Sequence, residues 1–301
     1  MEFLDETHVR SLLTWEELFP AVERALVGLS AGTIQQPVRT VLRIGATENP
    51  GFFALMPAVL DDLMGVKLVT FYETNTALPT HQAVIQLLDA KTGEPLVAMD
   101  GRLITEMRTA AVSAIATRLF VAEDAKILAI LGSGVQARSH FAALSRVRRF
   151  TEVRVWSRTL AHAQRFASET GATPFATAEA AVRGADVVVN VASVREPLVE
   201  GAWLGEQTLV CAVATVTPDR RELDDATMSA AVVVESREAA LRESGDIIGS
   251  GQPVYAELGE ILAGNRAVPK GRVVFKSLGV AASDLAAAGV VWRRRQIPVN
   301  R

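Results

Sequence analysis

The chain has 301 residues, enough for two domains or one large one. Its apolar fraction of 49% can fill a sizeable core, and its net charge of −3 gives no broad basic surface for nucleic acid. A single cysteine, Cys211, excludes a disulfide framework or a cysteine-based metal site within one chain, and no metal site is expected. We predict that Cys211 is buried in a strand, because it lies in the apolar run 209–216.

The chain begins with an acidic segment, whereas a signal peptide begins with a basic segment followed by an apolar one. No uninterrupted apolar run approaches the length of a membrane span. We therefore expect a cytoplasmic protein that binds neither membranes nor nucleic acid.

The chain starts with a predicted helix. Thr14 and Glu17 have the spacing of a capping box, and apolar residues recur at helical spacing over 18–29. We expect the helix to end near Gly32 and Pro20 to separate its first turn from the rest.

The apolar period changes to two after this helix, which predicts strands. A helix over 106–122, capped by Thr105, follows them. This first portion is therefore a helix with a mostly antiparallel sheet. The predicted strands cover 38–45, 52–56, 65–72, 82–89 and 95–100.

A strand, a glycine turn and a helix follow one another over 125–138. The run 127–131 has no polar face, which is typical of a strand buried on both sides of a parallel sheet. Gly132 allows a sharp turn, Gly134 lets a pyrophosphate approach the backbone, and Ala137 allows close helix–strand packing. The helix N-terminus offers N–H groups to an anion. We predict a dinucleotide site here, the alternative being an ordinary strand–helix turn.

Strands and helices alternate beyond the glycine turn, which predicts a doubly wound sheet. We therefore predict an α/β protein, with a Rossmann-type domain over 123–275 and an α+β domain over 1–122 and 276–301. The predicted strands are 153–156, 185–191, 209–213, 231–235 and 272–275, and the predicted helices are 160–169, 254–263 and 281–292.

Ser157, Arg158 and Thr159 follow the second predicted strand of this domain, 153–156. NAD sites usually place an acidic residue there to bind the ribose 2′-hydroxyl. Arg158 can instead pair with a 2′-phosphate and stack on adenine. We predict NADP rather than NAD, the alternative being that Arg158 is a solvated residue at a helix start.

Three cations, Arg39, Lys67 and Arg108, stand among apolar neighbours, with Arg108 expected in the first turn of its helix. Such cations are unusual unless they are paired or functional. From spacing alone, the alternative is that each faces water or makes a surface ion pair.

A series of short motifs, in order, resembles the ornithine cyclodeaminase/mu-crystallin family, and KLVTFYE and RELDD resemble its mu-crystallin branch in particular. The resemblance implies an NADPH-dependent ketimine reductase that assembles as a homodimer through its N-terminal sheet domain. The motifs are QPVRTV (36–41), LMPA (55–58), KLVTFYE (67–73), THQA (80–83), MDG (99–101), RTAAVSAIAT (108–117), LGSGVQA (131–137), WSRT (156–159), RELDD (221–225), ESGD (243–246), AELGEI (256–261) and FKSLG (275–279).

The resemblance also implies roles for single residues. Arg39 would bind the substrate carboxylate, Lys67 would contact the substrate, and Arg108 would lie between substrate and cofactor. Lys67 is the predicted catalytic residue, which would either hydrogen-bond the imine nitrogen or deliver its proton. His81 is the secondary candidate for the proton donor, with water as a further source, and Asp284 is expected to be structural. Leu278 would line the substrate side. The predicted cofactor contacts are Thr80, His81, Arg108, Thr109, Gly132, Gly134, Val135, Gln136, Ser157, Arg158, Thr159, Val213 and Ser277.

One departure from the family pattern separates the possible activities. Cyclodeaminases that resemble this chain carry an acid–base aspartate at the position of Val216, and valine cannot transfer a proton. We therefore expect reduction of small cyclic ketimine carboxylates. The alternatives are an ornithine cyclodeaminase, an alanine-type dehydrogenase, and a protein that binds NADPH and a small carboxylate without turnover.

Overall fold

The computed structural model describes residues 2–45 and 49–296. The chain divides into two compact units. Unit 1 comprises the residues up to Arg108 and those from Gly279 onward, and unit 2 comprises Thr109–Leu278.

The first part of the chain forms the strands and helices of unit 1. They are β1 (Phe3–Leu4), α1 (Glu6–Leu12), α2 (Trp15–Ser30), β2 (Thr40–Ile44), β3 (Gly51–Leu60), β4 (Leu63–Phe71), β5 (His81–Asp89), β6 (Pro95–Asp100) and α3 (Arg102–Phe120), whose last residues belong to unit 2.

The strands of unit 1 form one sheet in the order β1-β6-β5-β4-β3-β2. β1 is parallel to β6 and the other neighbours are antiparallel, which confirms the mostly antiparallel sheet. Buried and more exposed side chains alternate along β3, β4 and β5 because successive residues of a strand point to opposite faces. Lys67 pairs with Met56 and Ile85, so it belongs to the buried face.

The rest of the chain forms unit 2 and then returns to unit 1. The elements are β7 (Ile127–Leu131), α4 (Val135–Val147), β8 (Glu152–Trp156), α5 (Leu160–Thr170), β9 (Thr173–Phe175), α6 (Ala178–Val182), β10 (Val187–Asn190), β11 (Leu209–Ala212), α7 (Asp225–Met228), β12 (Ala231–Val234), α8 (Arg237–Glu243), α9 (Gly245–Ser250), β13 (Val254–Glu257), α10 (Leu258–Leu262), β14 (Val273–Lys276) and, in unit 1, α11 (Ala281–Arg295).

Unit 2 contains a parallel sheet in the order β13-β12-β14-β11-β10-β7-β8-β9, which confirms the doubly wound Rossmann-type prediction. The chain leaves β7 towards β8 on one side, whereas β10 pairs on its other side. Ligands of such sheets bind outside the carboxyl ends of the strands at this switch point.

Cys211 lies in β11 and is fully buried, as predicted. Burial raises the pKa of its thiol to about 12, so the nucleophilic thiolate is scarce at neutral pH.

Several local predictions were wrong. Helix α2 continues through Pro20, because burial of Leu18 and Val22 against the rest of unit 1 outweighs one lost backbone hydrogen bond. Helix α3 starts at Arg102, whose N–H donates to Asp100 Oδ1 at 2.8 Å.

Thr105 is therefore inside α3 rather than its cap, and Arg108 lies in the second turn. The segment predicted as helix from 254 starts as strand β13, because it pairs with β12 at the edge of the sheet.

In unit 1, α11 packs against α2 and against β3, β4 and β5.

Candidate active site

Three side chains from distant parts of the chain meet inside unit 1. Asp284 Oδ1 of α11 accepts from Arg108 Nε of α3 at 2.8 Å, and Asp284 Oδ2 lies 2.6 Å from Lys67 Nζ of β4. Asp284 is fully buried, and Lys67 and Arg108 are 2% and 5% exposed. The structure therefore excludes the solvated alternative for Lys67 and Arg108.

Two arginines, Arg39 and Arg108, lie close to Gly279. Its carbonyl oxygen accepts from Arg39 Nη2 at 2.7 Å. Its φ of +75° is in the left-handed region that favours glycine, and a Cβ there would meet the Arg108 Nη1 at 2.7 Å. Gly279 is thus required both for its backbone conformation and for the approach of Arg108.

We call Arg39, Lys67, Arg108 and Asp284 the cation cluster. Burial raises the pKa of Asp284, but the Arg108 and Lys67 cations outweigh it and hold that pKa below its ordinary value. Arg39, bonded to the Gly279 carbonyl, is the third cation of the cluster. Arginines bind a carboxylate in a fixed orientation, so Arg39 and Arg108 suit a small carboxylate ligand.

Lys67 has the properties of a proton donor. Burial lowers the pKa of Lys67 to about 7; Asp284 opposes this shift, whereas Arg108 and Arg39 add to it. A pKa near the working pH lets one side chain both give and regain a proton.

His81, the first residue of β5, is a weaker candidate. Burial and the nearby Lys67 and Arg108 cations lower the pKa of His81 to about 4. It is therefore neutral at pH 7, which favours Lys67 as the donor. Thr80 lies just before it in an exposed loop, where its carbonyl accepts from Tyr72 N at 2.8 Å.

Unit 2 contains the glycine turn as predicted, between β7 and α4. Gly132 has a φ of +120°, and a Cβ on Gly134 would meet open space. Gly134 is the N-cap of α4, Val135 is exposed, and Ala137 is fully buried. The turn thus leaves room for a group to approach its backbone N–H groups.

Two buried side-chain oxygens, one in α4 and one directly after β14, fit a polar ligand. Gln136 Oε1 and Ser277 Oγ have no hydrogen-bond partner within residues 2–45 and 49–296. Buried polar atoms without partners are rare in folded proteins and need an explanation. Together with the open glycine turn, these atoms fit a dinucleotide cofactor.

The residues after β8 lie where an adenine ribose binds in this fold. Ser157 Oγ accepts from Ser133 Oγ at 3.1 Å, which joins this segment to the glycine turn. Arg158 is exposed, and Thr159 is the N-cap of α5. The position offers a guanidinium and hydroxyls to a ligand.

The remaining predicted contacts are also in unit 2. Thr109 is buried in α3, and Val213 is half-buried after β11. Leu278 is buried, and its N–H donates to Glu235 Oε2 at 2.7 Å. Val216 is half-buried, so an apolar side chain stands where cyclodeaminases resembling this chain carry an aspartate.

Asp284 is the residue of the cation cluster that sequence reasoning took for structural. The sequence feature that could have indicated its role is that it is the single charged residue in the otherwise uncharged stretch 280–291.

Over the described part of the chain, no group of His, Cys, Asp and Glu side chains is arranged to hold a metal ion, and none of the helices there is long and apolar enough to cross a membrane.

Known proteins resemble the chain over almost its whole length. The ornithine cyclodeaminase/mu-crystallin family description matches residues 2–296. Ketimine reductase mu-crystallin of Mus musculus is 45% identical in an alignment of 286 residues that covers 91% of each chain.

Two solved structures share the fold. Thermococcus litoralis Δ1-pyrroline-2-carboxylate reductase, in complex with NADH and L-proline, is 35% identical with a TM-score of 0.91, covering 98% of this chain and 97% of that one. An archaeal alanine dehydrogenase dimer with bound NAD is 30% identical with a TM-score of 0.89, covering 98% and 95%. The chain belongs to the ornithine cyclodeaminase/mu-crystallin family.

Proposed function

We propose that this protein reduces small cyclic ketimine carboxylates to cyclic amino acids with NADPH. The observation that carries the proposal is the cation cluster, which joins a site for a carboxylate to a lysine whose pKa is about 7. In this proposal unit 1 binds the substrate and unit 2 binds the cofactor.

The protein is an oxidoreductase that uses a nicotinamide cofactor and acts on C=N bonds. Its cofactor, when bound, supplies a hydride to the imine carbon. Gly132, Gly134 and Gln136 would hold the pyrophosphate side, and Val213 and Ser277 the nicotinamide side.

Arg39 and Arg108 bind the substrate carboxylate and so fix the orientation of the adjacent C=N bond. Asp284 holds Arg108 through Nε and Lys67 through Nζ, so both cations keep their places. Lys67 donates a proton to the imine nitrogen, because a protonated imine is the better hydride acceptor.

Ornithine cyclisation needs a base for one amine and an acid for the departing one. Val216 offers neither, which supports reduction over cyclodeamination. An alanine-type dehydrogenase would use the same carboxylate site but act on an open-chain amino acid. A protein that only binds NADPH would show no turnover.

A substrate panel tests the proposed function. NADPH oxidation is followed with five- and six-membered cyclic imine carboxylates, and ammonia release is measured with ornithine and alanine. We expect oxidation with the cyclic imines and no ammonia from ornithine. Ammonia released in proportion to proline formed would instead restore the cyclodeaminase alternative, and absence of even a single turnover would identify a binding protein.

The preference for NADPH is tested at Arg158. Arg158→Ala should weaken NADPH binding by about tenfold to a hundredfold, because a charge-assisted contact to the 2′-phosphate is lost, and should leave NADH within about twofold. Calorimetric titration of both cofactors measures the effect. Arg165→Ala, which removes another exposed arginine further along α5, is the matched control. Equal losses for both cofactors would refute the assignment.

We propose a homodimer through the sheet of unit 1. The face opposite the buried one carries exposed apolar side chains, among them Leu42, Val59 and Val84. Light scattering should give twice the 32.3 kDa chain mass at micromolar concentration, and Val84→Glu should give the chain mass. The control Val268→Glu changes an exposed valine of unit 2 and should remain dimeric. A monomeric wild type would contradict the proposal.

A further inference from the structure

Lys276, the last residue of β14, is fully buried in unit 2 and has oxygen partners on several sides. Its Nζ donates to Thr215 O at 2.8 Å and Thr215 Oγ1 at 3.2 Å. It also lies 3.0 Å from Asp246 Oδ2 and bonds Glu222 Oε1. We call Lys276, Glu222, Asp246, Thr215 and Asn190 the Lys276 network.

The two carboxylates extend the network to backbone groups. Glu222 accepts from Ala214 N at 3.2 Å, Thr215 N at 3.1 Å and Asn190 Nδ2 at 2.6 Å. Asp246 Oδ1 accepts from Glu222 N at 2.9 Å, so the segment that carries Glu222 is itself fixed. Glu222 and Asp246 belong to the RELDD and ESGD motifs, which no predicted contact with substrate or cofactor includes.

The network holds the segment 213–217, which follows β11. Glu222 binds the N–H groups of Ala214 and Thr215, while Lys276 binds the carbonyl of Thr215. Thr217 O accepts from Gly245 N at 3.2 Å, which fixes the far end. Because Asn190 and Lys276 end β10 and β14, the network lies at the carboxyl edge of the sheet, where this fold binds its ligands.

Two buried hydroxyls adjoin the network in the sequence. Thr217 Oγ1 and Ser277 Oγ lack hydrogen-bond partners over the part of the chain that the structure describes. Donors left unpaired beside so many paired ones point to a ligand that pairs with them. A buried group of charges is itself a poor source of stability, since apolar residues of similar volume often stabilise as much.

We propose that Glu222 and Lys276 are positioning residues, which hold the segment 213–217 in the conformation that the nicotinamide half of the cofactor contacts. The inference rests on the proposed function only in requiring a nicotinamide dinucleotide as ligand. Neither side chain touches the ligand, because both are fully buried and bonded to protein groups.

The test compares whole cofactors with fragments that lack nicotinamide. Calorimetry measures NADPH against 2′-phospho-ADP-ribose, and NADH against ADP-ribose. Glu222→Gln should weaken both whole cofactors by about tenfold or more, the factor of a lost charge-assisted hydrogen bond, and should leave both fragments within about twofold. In the free Glu222→Gln variant, the amides of Ala214 and Thr215 should exchange their hydrogens faster than in the free wild type.

The matched control is Asp186→Asn, at the opposite end of the same sheet. Asp186 Oδ2 also accepts two backbone N–H groups, from Lys126 at 2.7 Å and Ile127 at 2.8 Å, so its loss imitates a purely structural change. The control should not discriminate between whole cofactors and fragments. If Glu222→Gln does not fold, Thr215→Val removes one hydroxyl from the network and should weaken whole cofactors alone, by about threefold.

Equal weakening of cofactors and fragments, or no weakening, would overturn the positioning role. A wild type that binds fragments as tightly as whole cofactors would overturn it too. Selective loss in the binding experiment together with no ketimine reduction would support the positioning role and contradict the proposed substrate.

Discussion

In a Lys67→Met variant, kcat for imine reduction is expected to fall by about a hundredfold to ten-thousandfold, the usual contribution of a positioned general acid. Methionine fills a similar volume beside Met56 and Ile85 on the buried face of the sheet, so the fold should persist. Stopped-flow NADPH oxidation at saturating imine measures the effect. Lys91→Met, at the exposed turn between β5 and β6, is the control and should leave kcat unchanged.

The pH dependence identifies the role of Lys67 more directly. A general acid acts in its protonated form, so wild-type kcat/KM should fall as the pH rises through about 7, the pKa to which burial lowers Lys67. Relative to the wild type, Lys67→Met should lack this decline. An identical decline in both proteins would assign it to the substrate imine or to another group.

Asp284→Asn is expected to destabilise the protein by about 3–5 kcal/mol, because removal of one partner leaves buried charges uncompensated. The pKa of Asp284 is lowered in the folded protein, so its stabilising contribution is present above the ordinary value of 3.8 and is lost as the pH falls through the folded value. The difference in the free energy of unfolding between wild type and variant should therefore be full at pH 7 and should shrink in acid. Urea unfolding at pH 7 and at acidic pH measures this difference.

The same substitution should also move the pH profile. Asp284 is the carboxylate that opposes the lowered pKa of Lys67, so without it the decline in kcat/KM should begin at lower pH. When Asp284→Asn is added to Lys67→Met, it should lower the free energy of unfolding by less than it does in the wild type, because the two side chains share one interaction. Fully additive losses would show that the 2.6 Å pair has no energetic weight.

Local features of the site could be predicted because their causes are local. The glycine turn depends on residues 132–137 and their flanking runs, and burial of the strands of unit 2 follows from their uninterrupted apolar character. Arg39, Lys67 and Arg108 stood out as cations among apolar neighbours, but their assignment to one site came from the family resemblance.

Asp284 could not be assigned in this way. It lies 176 residues from Arg108, and one acidic residue in an alanine-rich helix does not specify its partners. The Lys276 network was missed for the same reason, since its members are polar residues at the ends of separate strands, in loops and at the start of α9. Errors at helix ends had another cause: Asp100 and Thr105 both have cap chemistry, and it is Asp100, at the end of β6, that accepts a backbone N–H at the start of α3.

The buried thiol gives this molecule a natural reporter. Cys211 belongs to the strand that leads directly into the segment 213–217, and Ser113 and Thr117 contribute hydrogen bonds to it. A thiol reagent can reach this sulfur only when the centre of unit 2 opens, so the labelling rate counts opening events rather than surface encounters. Because the chain has one cysteine, every modified molecule records an opening at the same place.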